Sequence, residues 1–364
     1  MSSQVAIGSL GISGSHEPRQ QGGTPSPFTL VDLQHRQVRY VRISLTDRCN
    51  YRCTYCMPAE GVEVVDRPQL LRFEEIVRLV RIFVAMGIRR VRLTGGEPLT
   101  RRRVVDLIAQ IAAVEGLEDL AMTTNGHQLV SLAGPLHDAG LTRLNVSLDT
   151  LDAERFAAIT RQGHLKHVLD GLKSASEAGF SGIKLNAVML RGLNDAETSD
   201  LLAFARAHGH VLRYIEYMPI GTDDYWGPES FISGDELRTR LTDAGWTLRG
   251  DDISASRGGG PARYWQAWPR GVDPDSAPGT PVGFITAVSD HFCATCNRVR
   301  VSPVGTLREC LSTAGALSLR DLMRQGAEDA VVTQAIRDAL DGKVDGHRFW
   351  SGQTTLESMV QIGG

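Results

Sequence analysis

The chain has 364 residues, 42% hydrophobic and 22% charged, with a net charge of −3. Its length suits one large domain beside a smaller one, and its composition is that of an ordinary globular protein. The near-neutral charge excludes a general attraction to nucleic acid or to an anionic membrane, so an anionic ligand must be held by local basic clusters.

Residues 1–27 are rich in Ser, Gly, Gln and Pro and lack the basic and apolar regions of a secretory signal. A disordered extension is expected over residues 1–35, and a cytoplasmic location follows by default. No run of about 20 apolar residues occurs, so no membrane span is expected. From residue 38 to 218 a strand-then-helix rhythm repeats. Strands are predicted over residues 41–45, 90–94, 120–124, 144–148, 183–189 and 212–217. The helix period is clearest in Ile76, Leu79, Val80 and Phe83, and again in Val104, Leu107, Ile108 and Ile111. Further helices are predicted over 129–139, 153–178 with a break near Gly163, and 196–207. Six such units predict an α/β fold: an incomplete (β/α)6 TIM-type barrel over residues 36–217, with an open side.

The rhythm stops there. Ser233-Gly234-Asp235-Glu236 reads as a capping box opening a helix that runs to residue 244. Gly- and Pro-rich stretches (257–261 and 274–281) separate short strands expected at 263–268, 282–286, 298–302 and 306–309, and helices are expected near 319–323 and 331–340. Residues 218–364 are thus a smaller α+β C-terminal domain, expected to cover the open side of the barrel.

The unusual residues gather where the barrel strands end, which is where such barrels place their active sites. The first strand runs into Cys49, Cys53 and Cys56, spaced C-x3-C-x2-C. Three thiolates from one short loop can hold three irons of a [4Fe–4S] cluster and leave the fourth without a protein ligand. The second strand runs into Thr94-Gly95-Gly96-Glu97-Pro98. Its glycines are expected to leave the backbone open to a ligand, with the Glu97 carboxylate available to an ammonium group. Arg42, Arg92 and Lys184 lie on strands whose ends share this mouth and are candidates for an anionic substrate. A second triplet, Cys293, Cys296 and Cys310, is followed after Cys296 by Asn297-Arg298-Val299-Arg300. Strand alternation puts Arg298 and Arg300 on one face, beside a metal centre that again has only three cysteines. A structural zinc site completed by His291 is the competing reading of this triplet. Three disulfides do not suit a long chain without an export signal. Taken alone, Gly363-Gly364 reads as a frayed end.

The first two motifs are similar to those of the radical S-adenosylmethionine (SAM) superfamily. With Cys293-Ala294-Thr295-Cys296-Asn297-Arg298-Val299-Arg300, Cys310 and the terminal Gly-Gly, the chain from about residue 38 onward resembles the GTP 3′,8-cyclase family within it. The resemblance implies conversion of GTP to 3′,8-cyclo-7,8-dihydro-GTP, the first step of molybdenum cofactor biosynthesis, with SAM and two [4Fe–4S] clusters as cofactors. It implies that Cys49, Cys53 and Cys56 hold the catalytic cluster, that Tyr55, Gly96, Ser147 and Met218 contact SAM, and that Arg42, Arg92, Thr123, Lys184, Arg298 and Arg300 contact GTP. It further implies that Cys293, Cys296 and Cys310 hold a second cluster that meets the guanine, and that Gly363 and Gly364 enter the active site. The implied chemistry is hydrogen abstraction from C3′ of GTP by a 5′-deoxyadenosyl radical, then attack on C8. A homodimer, a flavodoxin- or ferredoxin-type electron donor and a downstream cyclic pyranopterin monophosphate synthase are the implied partners. Two other readings stand beside it: a peptide-modifying radical SAM maturase, and a zinc-stabilised binding protein.

Overall fold

The computed structural model describes residues 29–221, 227, 229–251, 260–349 and 357–363. Most of the expected N-terminal extension, part of the first Gly- and Pro-rich stretch (257–259) and Gly364 lie outside the described residues. The barrel elements follow in order: β1 (Tyr40–Ser44), α1 (Phe73–Ala85), β2 (Arg90–Thr94), α2 (Val104–Ala112), β3 (Asp119–Thr124), α3 (Leu129–Asp138), β4 (Arg143–Ser147), α4 (Ala153–Thr160), α5 (Leu165–Glu177), β5 (Lys184–Met189), α6 (Thr198–Ala207) and β6 (Val211–Glu216). The apolar stripes read from the sequence are the buried ones. Ile76, Leu79, Val80 and Phe83 face the core, as do Leu107, Ile108 and Ile111. The predicted long helix breaks as expected, between α4 and α5.

The rest of the chain forms α7 (Gly234–Asp243), β7 (Thr247–Asp251), β8 (Arg263–Trp268), β9 (Thr280–Ile285), β10 (Arg298–Val301), β11 (Thr306–Arg308), β12 (Leu317–Ser318), α8 (Leu319–Arg324), α9 (Asp329–Leu340) and α10 (Met359–Ile362). All strands join one sheet in the order β12-β11-β10-β1-β2-β3-β4-β5-β6-β9-β8-β7. The incomplete barrel with a C-terminal part is the expected one, and the sheet order adds to it. The C-terminal part does more than cover an open side, because it extends both edges of the barrel sheet. β10 lies parallel to β1, and β9 lies parallel to β6. The parallel run is therefore eight strands, and its two outer strands do not pair with each other, so the barrel is not closed by hydrogen bonds. One hydrophobic core runs through both parts, taking in Val41, Leu93 and Leu185 together with Phe284, Val299, Leu307 and Ile336.

Three local expectations also change. The extension does not reach residue 35, since Leu30 is buried in the core and Asp32 is buried against Arg36 at 2.6 Å. Of the capping box, only half forms. The Ser233 hydroxyl accepts from the Glu236 N–H, but the Glu236 carboxylate goes to Arg191 at 2.6 Å instead of returning to Ser233. β7, β12 and α10 appear where no strand or helix was expected. No helix among the described residues is long and apolar enough to cross a membrane.

Glu216, at the end of β6, ties the two parts together. Its buried carboxylate accepts from the N–H of Gly234, which opens α7, at 2.8 Å, and from the N–H groups of Val288 and Ser289, beyond β9, at 2.8 and 2.9 Å. Removing an acceptor that satisfies three backbone donors leaves those donors unpaired away from water. Glu216→Ala is therefore expected to cost on the order of 3 kcal/mol, read as a lower urea midpoint, with Glu216→Gln falling between it and the parent protein.

Candidate functional site

The first cysteine loop leaves β1 and closes on itself. The N–H of Cys56 donates to the Cys53 carbonyl at 2.9 Å, and the N–H of Tyr51 donates to the Cys49 sulfur at 3.4 Å. All three sulfurs belong to residues lining one cavity of about 310 Å3, a size suited to a small ligand. Burial pushes the Cys49 thiol up to about 11 and the Cys53 thiol well above its usual value, and neighbouring thiols and carboxylates (Glu97 beside Cys49, Asp149 beside Cys53) add to this.

The glycines after β2 meet a packing constraint beyond the one expected. A side chain on Gly95 would meet the Thr46 carbonyl at 2.7 Å, and one on Gly96 would collide with the carbonyl of Arg48. The two backbones touch because the N–H of Gly96 donates to Thr46 at 2.7 Å and that of Glu97 donates to Arg48 at 2.8 Å. The glycines are needed so that one loop can lie against the cysteine loop and fix it. Glu97 is also a strut. Its carboxylate accepts from the N–H groups of Leu99 (3.0 Å) and Asn125 (2.7 Å) and from the Thr124 hydroxyl (2.7 Å). Three of its roughly four acceptor positions are used. Burial outweighs those bonds and raises its pKa to about 7. Tyr55, just before Cys56, donates its hydroxyl to Asp149 at 2.7 Å, pinning the cysteine loop to the end of β4. Burial raises Asp149 to about 6 against that bond and another from the Val188 N–H.

The parallel register lines up the cations. Arg300, Arg42 and Arg92 are side by side on β10, β1 and β2. All three are on the cavity wall, with Arg298 and with Arg213 from β6. The Nε atoms of Arg42, Arg92 and Arg298 are buried without a hydrogen-bond partner. Burial pulls Arg92 and Arg213 down to about 10 and Arg300 well below its usual value, with the other arginines adding repulsion. Buried, under-partnered guanidiniums in one cavity fit a polyanion. Lys184 departs from expectation. It opens β5 beside Asn145, deep in the barrel, and is not on the cavity wall. Burial, then Arg213 and Arg143, push it down to about 6.

The second triplet faces the first across the same cavity. Cys293 and Cys296 lie on one turn, with the Cys296 N–H donating to the Cys293 carbonyl at 3.1 Å. Cys310 comes from the far side of the β10–β11 hairpin. Burial raises Cys296, but Arg298 and Lys343 outweigh it and bring the thiol to about 7. The Arg298 guanidinium lies over the Phe292 ring at 4.9 Å. His291, the fourth ligand in the zinc reading, packs its ring against His347 at 5.1 Å. Among the described residues no three such side chains converge on a point that would hold a single metal ion. The thiols stand instead around the wall of a ligand-sized space, and the donor chemistry of each triplet, three soft sulfurs, fits an iron–sulfur cluster.

Gly363 reaches the same place. Its carbonyl accepts from Arg300 at 2.8 Å and from the Thr94 hydroxyl at 3.4 Å. Its φ of +76° and the Ser44 side chain, 2.8 Å from where a Cβ would be, require glycine. Gly96, Glu97, Thr123, Ser147 and Met218 all line the cavity as expected. Arg213 went unnamed from the sequence, and Asp149 was seen there only as part of the fourth strand's end. Arg213 carried the same signal as Arg92, a cation within an apolar strand.

A Radical SAM superfamily model matches residues 43–205, and a Molybdenum Cofactor Synthesis C model matches residues 210–349. Among curated relatives, a GTP 3′,8-cyclase of Pseudomonas entomophila is 46% identical over 90% of this chain and 95% of its own. One of Heliobacterium modesticaldum is 42% identical over 92% of this chain and 100% of its own. GTP 3′,8-cyclase 1 of Pseudomonas aeruginosa is 48% identical over 88% and 94%. Among solved structures, Streptococcus suis SuiB bound to S-adenosylmethionine shares the fold, with a TM-score of 0.57 and 15% identity over 90% of this chain and 79% of that one.

The contact between the two loops predicts the behaviour of one substitution. Gly96→Ala forces the cysteine loop away from the end of β2. After anaerobic reconstitution it is expected to retain less than half the iron of the parent, while its far-UV circular dichroism stays that of a folded α/β protein.

Proposed function

The chain belongs to the GTP 3′,8-cyclase family of radical SAM enzymes, and we propose how its residues divide the conversion of GTP to 3′,8-cyclo-7,8-dihydro-GTP, the first step of molybdenum cofactor biosynthesis. As a radical SAM enzyme it uses SAM and an iron–sulfur cluster. When bound, these supply the one-electron chemistry that removes a hydrogen atom from the ribose of GTP.

In this reading Cys49, Cys53 and Cys56 hold the catalytic cluster on a loop braced by Gly96 and by the Tyr55–Asp149 bond. Tyr55, Gly96, Glu97, Ser147 and Met218 surround SAM. Arg42, Arg92, Arg213, Arg298 and Arg300 hold GTP, with Thr123 beside them. Cys293, Cys296 and Cys310 hold a second [4Fe–4S] cluster near the base, and Gly363 completes the site at Arg300. The observation that carries the assignment is the group of buried guanidiniums with unpartnered Nε atoms in a cavity that also holds six thiols. The same group favours a nucleoside triphosphate over a peptide. The protein's part is to orient the ribose toward the reacting group and exclude water from it. Electrons are supplied by a flavodoxin- or ferredoxin-type donor, the product passes to cyclic pyranopterin monophosphate synthase, and the working form is a homodimer.

The decisive experiment is an anaerobic turnover of reconstituted protein with GTP, SAM and dithionite, read by mass spectrometry. 5′-Deoxyadenosine and a new species isobaric with GTP are expected. 5′-Deoxyadenosine without loss of GTP would point to another substrate. Two clusters predict about eight irons per chain, falling to about four when Cys293, Cys296 and Cys310 are all changed to Ala.

Lys184 gives a pH test. Its pKa of about 6 leaves it neutral at pH 7.5 without ligand. A triphosphate in the cavity favours its charged form, so binding draws in a proton, and affinity weakens as pH rises above 6. Calorimetry of GTP binding in buffers of different ionisation enthalpy is expected to show uptake that exceeds that of Lys184→Met, which removes the titrating group.

A further inference from the structure

Two buried cations from distant parts of the chain meet beneath the second cysteine triplet. Lys343 follows α9 and is 3% exposed. An ammonium group has three hydrogens to donate, and all three of this one go to the triplet's own segment. They reach the Cys296 sulfur at 3.6 Å, the Arg298 carbonyl at 3.0 Å, and the carbonyl of Glu309, the residue before Cys310. None goes to a carboxylate. Arg36, just ahead of β1, is buried too. Its guanidinium pairs with Asp32 at 2.6 Å and donates to the Cys293 carbonyl at 2.9 Å. It also donates to the carbonyl of Val344 at 2.8 Å, next to Lys343. Each cysteine of the triplet is thereby tied to this pair: Cys293 through Arg36, Cys296 through its sulfur, and Cys310 through its neighbour's carbonyl.

The structure assigns Arg36 and Lys343 as positioning residues that shape the second triplet and supply the positive charge its thiolates need when they hold a cluster. This rests on the reading that Cys293, Cys296 and Cys310 bind one. The physical reason is the cost of a buried ammonium that donates to no carboxylate, the Glu309 side chain acting on it only through space. Sulfur and two carbonyls satisfy its hydrogens, but only a negative charge offsets its own. A cluster bound through thiolates places that charge at the Cys296 sulfur, and hydrogen bonds to such sulfurs raise the potential of the cluster they hold. Arg36 adds specificity of shape. Its planar fork fixes the Cys293 turn and the Lys343 backbone at once, so the ammonium is delivered at one height below the sulfurs.

The test uses full-length protein in which Cys49, Cys53 and Cys56 are Ala, so that only the second triplet can hold a cluster. In that background Lys343→Met, Lys343→Gln, Lys343→Arg and Arg36→Gln are compared after anaerobic reconstitution. Iron per chain and the cluster's midpoint potential, followed by electron paramagnetic resonance, are the readouts. The parent background is expected to hold about four irons per chain. Lys343→Met and Arg36→Gln are expected to lose at least half of that iron, and what cluster remains is expected to titrate at a more negative potential. Lys343→Arg, which keeps the charge, is expected to restore most of the iron. Where Lys343→Met fails to fold by circular dichroism, Lys343→Gln, which keeps donors but no charge, decides the matter through its potential. Iron and potential unchanged in the folded neutral variants would overturn this assignment alone. A parent background that binds no iron at all would overturn the second-cluster reading, and the assignment would fall with it.

Discussion

Arg300, Arg42 and Arg92 are neighbours on three adjacent strands, and the parallel register allows no other arrangement once those strands pair. Like charges at the spacing of sheet neighbours repel, and here they do so out of water, where solvent screening is weakest. The protein relieves this only in part. Tyr40 stacks its ring on Arg92 at 5.4 Å, and the Asn186 and Asn145 amide oxygens accept from Arg213 at 2.6 to 2.9 Å. The carboxylates nearest the cavity do not pair with these cations: Glu97 and Asp149 are committed to backbone and hydroxyl donors on the opposite side. Cations thus line the cavity from β10, β1, β2 and β6, with acids at the ends of β2 and β4, at Glu216 after β6 and at Glu309 beside Cys310.

The two cysteine triplets show the same sorting from the other side. They share a donor type and a cavity, and burial raises Cys293 as it does Cys49 and Cys53, yet Cys296 is pushed the opposite way. Cys49 and Cys53 are buried near acids and each other and resist losing their protons. Cys296 is also buried, but Arg298 and Lys343 more than offset that. Cysteine ligates as thiolate, so the first loop depends on the positive charge of iron itself, while the second has cations of its own in place. Two triplets of the same donor type are thereby made electrostatically distinct at Cys296.

Much of this was legible in the sequence because the informative signals were local. Period-3.6 stripes such as Ile76, Leu79, Val80 and Phe83 predict both a helix and its buried face. Cys49, Cys53 and Cys56 are near one another in any fold that lets their loop close. What the sequence hid depends on pairing across long separations. Nothing in Arg298–Val301 says that it lies beside β1, more than 250 residues earlier, and so the eight-strand run was read as six. Gly95 and Gly96 were singled out as backbone left open to a ligand, and the structure adds a second constraint, the carbonyl backbone of another loop. Lys343 had no local mark at all. A single lysine in Gly342-Lys343-Val344-Asp345-Gly346 reads as a solvated turn until its neighbours are known.

The open edge of the barrel explains why both ends of the chain bear on the site. A sheet closed by hydrogen bonds holds its own strand ends in place. Here β9 and β10 do not pair, so the spacing between the two sides of the cavity must be fixed by other means. Arg36 does this from before β1, joining that segment to the Cys293 turn and to Val344. The C-terminal segment does it from the other end, burying Ile362 with Ile220, Val288 and Phe349 and placing the Gly363 carbonyl on Arg300. That last contact links the two functions of the cavity. The carbonyl gives a buried guanidinium a dipole but no charge, so it steadies Arg300 without neutralising it. The positive charge that a polyanion must find is left intact.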